Sequence, residues 1–162
     1  MKNKISLFLS LFLLVNTSVS AATVTAKDSF ESINNCVQKE DKQGCKDLLT
    51  ASSASLYSRF MSYGLMNCLP KDAGYVSQQK IGNYVMIRAS VTDNSKKRFM
   101  RLFFVEEEGT WKLDVPESLS TSMGKNWEQQ IEVVEQLYLL MKQQFGTQLD
   151  CRAIRNLVRV NK

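Results

Sequence analysis

The spacing of apolar residues changes twice along the chain. Phe30, Ile33 and Val37 recur at the helical interval, and Asp28 with Glu31 three residues later has the form of a capped start, so a first helix is predicted from Asp28 to about Val37. The polar run Gln38 to Gly44 ends it. Cys45 to Leu49 is expected to form a short helical turn, and Ser52 or Ser53 to cap a further helix carrying Leu56, Phe60 and Met61.

After Pro70 the period becomes two. In Tyr84 to Thr92 the residues Val85, Ile87, Ala89 and Val91 share one face, and Tyr84, Met86, Arg88 and Ser90 the other. Asp93-Asn94-Ser95 has turn chemistry, and Arg98 to Glu106 repeats the alternation, with Phe99, Arg101, Phe103 and Val105 against Met100, Leu102 and Phe104. Glu107 to Thr110 turns the chain into Trp111-Lys112-Leu113-Asp114-Val115. The three strands form an antiparallel meander, with an earlier strand expected near Tyr75 to Gln79.

The helical period returns at Asn126. Trp127, Ile131, Val134, Tyr138, Met141 and Phe145 make one stripe, widened by Val133, Leu137 and Leu140, while Glu128, Glu132, Glu135 and Lys142 lie opposite. That stripe is expected to pack on the sheet, with Gly146 ending the helix. A tail follows in which Ile154, Leu157 and Val158 sit beside Arg152, Arg155 and Arg159. The fold class expected is α+β: N-terminal helices on a curved antiparallel meander, with an added C-terminal amphipathic helix and a disulfide-tied tail.

Residues 1–21 have the plan of a secretory signal: basic Lys2 and Lys4, an apolar run from Ile5 to Val15, and Val19-Ser20-Ala21 as a small-residue cleavage site. Eleven apolar or small residues are too few to span about 30 Å of hydrocarbon as a helix. Residues 22–162 are therefore expected to be a single domain, exported to the periplasm or the medium, with no membrane span in the mature form. Removing the signal leaves 19 basic against 16 acidic residues, +3, mixed along the chain, which is not the basic face of a nucleic-acid binder.

The chain has no histidine, which removes the usual general base, the Ser-His and Cys-His pairs and the commonest metal ligand. Cys36, Cys45, Cys68 and Cys151 are an even set in an exported chain, so two disulfides are expected, and three connectivities are possible. The favoured one joins Cys36 to Cys45 and Cys68 to Cys151, contributing about 2.7 and about 4.6 kcal/mol through loop closure. No C-x-x-C occurs, and the intervals of 8, 22 and 82 residues are irregular, so neither a metal site nor a cofactor is expected.

The helices, the meander and the segment Glu108-Gly109-Thr110-Trp111-Lys112-Leu113-Asp114 after Tyr84 to Thr92 and Lys97 to Glu106 together resemble the nuclear-transport-factor-two-like, or cystatin-like, α+β cone of exported bacterial proteins. The resemblance covers roughly Asp28 to Val115 and implies that Trp111 packs the sheet against the helices. The long helix and Cys-bearing tail depart from the basic cone.

Several groups carry candidate chemistry. Arg88 and Arg101 on neighbouring strands, with Tyr84 and Phe103, are placed to grip an anion on an aromatic-lined sheet, or form an ordinary solvated face. Arg152, Arg155 and Arg159 form a basic stripe suited to an acidic protein partner or anionic lipid if the tail is helical. Asp114 and Glu117 are either an acid and base pair or a polar strand end, and Glu106 to Glu108 either a cation site or a solvated turn. No phosphate loop or nucleophile elbow occurs. The expected function is that of a non-enzymatic protein that binds another protein, of immunity or envelope-accessory type. A small-molecule binder or enzyme using the sheet face is the alternative.

Overall fold

The computed structural model describes residues 24–62, 72–93 and 96–145. Three helices come first: α1 (Ala26–Lys39), α2 (Lys42–Asp47) and α3 (Ala51–Ser62). Four strands follow, β1 (Ala73–Ile81), β2 (Tyr84–Asp93), β3 (Lys96–Glu107) and β4 (Thr110–Asp114), then α4 (Val115–Met123) and α5 (Trp127–Phe145). The fold is α+β, and the sheet is an antiparallel meander in the order β1-β2-β3-β4.

The first helix starts one turn before its expected position. Thr25 is its N-cap, accepting from the Asp28 N–H, while the Asp28 carboxylate returns to the Thr25 N–H at 2.8 Å, so Asp28 serves as N3 of the capping box rather than as the cap. Those contacts to Thr25 hold the Asp28 carboxyl below the usual carboxylate range. Before α3 it is Thr50, not Ser52 or Ser53, that takes the capping position, accepting from the Ser53 N–H at 3.3 Å. Asp41 caps α2, and the Cys36–Cys45 disulfide fastens α1 to α2 across a Cα–Cα distance of 5.4 Å. The expected Cys68–Cys151 bond lies outside the described residues.

Strict alternation in β2 turns Val85, Ile87 and Ala89 to one face, where they join Phe104 of β3 and Leu113 of β4 beneath Ala26 and Phe30 of α1. Ile87, Ala89 and Phe104 are fully buried there, and Trp111 packs against the same cluster. Leu49 closes the β4 side: it bridges Leu113 in parallel, with the Leu113 N–H bonded to the Leu48 carbonyl at 2.9 Å. At the opposite edge, β1 carries a bulge at Val76, where the register slips between Tyr75 and Ser77.

Two elements differ from expectation. The segment after β4, read as a strand end, folds into α4, whose N-cap is Asp114 and whose first turn holds Pro116. The long helix α5 lies against α4 rather than laying its stripe on the sheet. It is tied to α3 by Arg59 and Glu135, whose Nη2 and Oε2 are 2.6 Å apart.

Candidate functional site

Register places the four sheet candidates on one face. Across β2 and β3, Met86 opposes Phe103, Arg88 opposes Arg101 and Ser90 opposes Phe99, and all of these side chains stand on the side away from α1. The candidates then divide into two pairs. Phe103 is buried where α4 meets β3, and Tyr84 meets it edge to face with ring centroids 6.0 Å apart. The Tyr84 hydroxyl donates to Asp114 at 3.4 Å. Burial, and then the negative charges of Asp114 and Glu117, push the Tyr84 phenol above its ordinary range.

Ser118 fixes this end of the face. Its hydroxyl accepts from the Phe103 N–H at 2.9 Å and donates to the Asp114 carbonyl at 2.6 Å, so it stands in series within the ladder just where β4 leaves the sheet. The Asp114 carboxylate accepts from the Glu117 N–H at 3.0 Å as the α4 cap. A helix start, rather than an acid and base pair, is what Asp114 and Glu117 build.

Arg88 and Arg101 remain open. The Arg88 guanidinium lies over the Phe99 ring, 4.1 Å from its centroid, and Phe99 is 52% exposed. Both arginines border a groove of about 830 Å³ between this half of the sheet and Thr121 and Ser122 of α4. No acidic residue lines it among the described residues.

A second groove of about 840 Å³ lies between α3, α4 and α5 and has the opposite character. Asp114, Glu117, Glu128, Glu132 and Glu135 line it with Arg59, five carboxylates against one guanidinium, leaving a formal −4. Glu135, expected on the solvent side of α5, is 6% exposed instead. Its partner Arg59 is 76 residues away in sequence, beyond the reach of any local pattern.

The turn after β3 is structural. Glu107 pairs with Lys112 at 3.3 Å, and Glu108 sits in the left-handed region at φ 53°, so the three glutamates do not converge. Among the described residues no group of three or more acidic or thiol side chains is placed to hold a metal ion, and no helix is long and apolar enough to cross a membrane. Arg152, Arg155 and Arg159 lie outside the described residues. Among the described residues, Arg88 over the Phe99 ring stands opposite Arg101 on one side, and a carboxylate-lined groove lies on the other. No protein-family model and no curated protein matches the chain, and no solved structure matches its fold.

Proposed function

We propose that this is an exported, periplasmic or secreted protein that works without chemistry of its own, by binding another protein through α5. One observation carries the reading. The apolar surface of α5 is wider than the body it rests on: Val133 and Leu140, two turns apart on one side, are 51% and 53% exposed, and Leu139 is exposed beside them. An amphipathic helix held by α4 and by the Arg59–Glu135 ion pair to α3, with its outer leucines in water, has the form of a helix that completes its packing on a partner.

The signal-like residues 1–21, the Cys36–Cys45 bond and the lack of histidine agree with export and with a binding role. The order of helices followed by a meander, with Trp111 against the core, supports the reading as a cone-superfamily relative. The test is capture from the envelope and secreted fractions of the source with the oxidised mature protein as bait. A stoichiometric protein retained by the native bait and lost by Val133→Glu with Leu140→Glu is the expected result. Equal retention by that variant overturns the assignment of the surface, and a bait that retains no protein overturns the function.

A further inference from the structure

The open half of the sheet is a different surface from α5 and carries a groove of its own. Residues directly opposite on paired antiparallel strands have Cβ atoms about 4.5–5.5 Å apart, and like charges there are destabilising. Arg88 and Arg101 occupy such a pair, and both are exposed. Among the described residues neither guanidinium meets a carboxylate or a hydrogen-bond acceptor. Among the described residues no acidic side chain lines this groove, whereas five line the other.

The arrangement is nevertheless ordered. Contact with the Phe99 ring, 4.1 Å from its centroid, holds the Arg88 guanidinium in place, and a guanidinium can take an oxyanion in two parallel hydrogen bonds. Beside the charges, Met86 and the half-exposed Phe99 ring supply apolar floor, and Thr121 and Ser122 supply hydroxyls from the α4 wall. The volume of about 830 Å³ suits a small organic molecule rather than a bare ion or a protein segment.

We propose that this groove binds a small amphiphilic oxyanion, its phosphate or carboxylate head bridging Arg88 and Arg101 and its apolar body lying on Met86 and Phe99. The ligand relieves the repulsion of the opposed arginines, so the pair favours the bound state at a cost to the free one. This gives a signature that an ordinary solvated sheet face lacks. Arg101→Gln stabilises the free protein, raising its melting temperature by about 1–3 °C, while it weakens the bound state.

The experiment titrates the oxidised mature protein with octyl phosphate, octanoate, inorganic phosphate and octyltrimethylammonium, by calorimetry at physiological ionic strength. An octyl oxyanion is expected to bind more tightly than inorganic phosphate and than the cationic octyl compound. The tighter of octyl phosphate and octanoate identifies the head group. Arg88→Gln and Arg101→Gln are each expected to weaken binding about tenfold or more, as for loss of a charge-assisted hydrogen bond, with Arg101→Lys falling between. Phe99→Leu keeps the apolar floor and removes the ring under Arg88, and is expected to weaken binding less than loss of either charge. Equal binding of the anionic and cationic octyl compounds, or unchanged affinity in the Arg88→Gln, Arg101→Gln double variant, overturns the site. So does the absence of octyl oxyanion binding in a native protein that melts cooperatively.

Discussion

Ser118 is the residue whose removal most directly tests how α4 is held to the sheet. Its hydroxyl takes the Phe103 N–H and passes its own proton to the Asp114 carbonyl, in a buried position. Ser118→Ala removes both bonds and leaves the Phe103 N–H buried without an acceptor. An orphaned buried donor costs about 1–3 kcal/mol, and the better helix propensity of Ala returns roughly 0.5 kcal/mol, so a net loss of about 1.5 kcal/mol is expected. For a domain of this size that is a fall in melting temperature of roughly 3–6 °C.

Ser122→Ala is the matched control. Ser122 is an exposed residue whose hydroxyl returns to the Ser118 carbonyl within the same helix, so its loss is expected to change stability by less than about 0.5 kcal/mol. Thermal and urea unfolding of the oxidised protein measure both variants, and amide exchange reads the Phe103 N–H itself, which is expected to exchange faster only in Ser118→Ala. If the two variants agree within about 0.5 kcal/mol and the Phe103 amide keeps its protection, the hydroxyl is not holding β3, β4 and α4 together.

Two further outcomes follow from the fold. Replacing Cys36 and Cys45 by Ala opens a loop with a sequence separation of 9 and is expected to lower unfolding stability by about 2.7 kcal/mol in urea, with an unchanged midpoint counting against the entropic account. Tyr84 has a folded pKa raised above its unfolded value, first by burial, so its contribution is complete below the ordinary phenol range and is lost as pH rises through the folded value. Burial raises the Tyr57 phenol as well, so a phenolate titration should show late tyrosines of which one disappears in Tyr84→Phe, along with the alkaline fall in stability it causes; a late step that is unchanged in Tyr84→Phe refutes the assignment.

What the sequence revealed of the fold, and what it hid, follows from the range of the forces involved. Alternation in Tyr84 to Thr92 is set by one buried face, so β2 and its faces could be read directly, and register then carried Arg88 opposite Arg101 as expected. The helix α4 carried no such signal in its apolar spacing, because the side chain it buries is the Ser118 hydroxyl. Its start was written in Asp114-Val115-Pro116-Glu117, an N-cap, a proline in the first turn and an acidic N3. Thr25 was missed in the same way, one turn before the acid that completes its capping box. Glu135 could not be found locally: period alone assigns a glutamate to water, and only the arrival of Arg59 from α3 makes its burial tolerable. The acidic groove depends on that same meeting of distant helices.

The bulge at Val76 also bears on the behaviour of the protein in a crowded compartment. A four-stranded meander has two rims, each a row of main-chain groups able to recruit a strand from another molecule. The β4 rim is closed by Leu48 to Thr50, but β1 forms the other rim. There the Asn34 amide occupies the Ala73 carbonyl at 2.7 Å, the extra residue at Val76 interrupts the repeat, and Lys80 puts a charge near the far end. No uninterrupted template of more than a few residues is left along β1. Straightening that rim by deleting Val76 would turn an interrupted edge into one that nucleates intermolecular sheet.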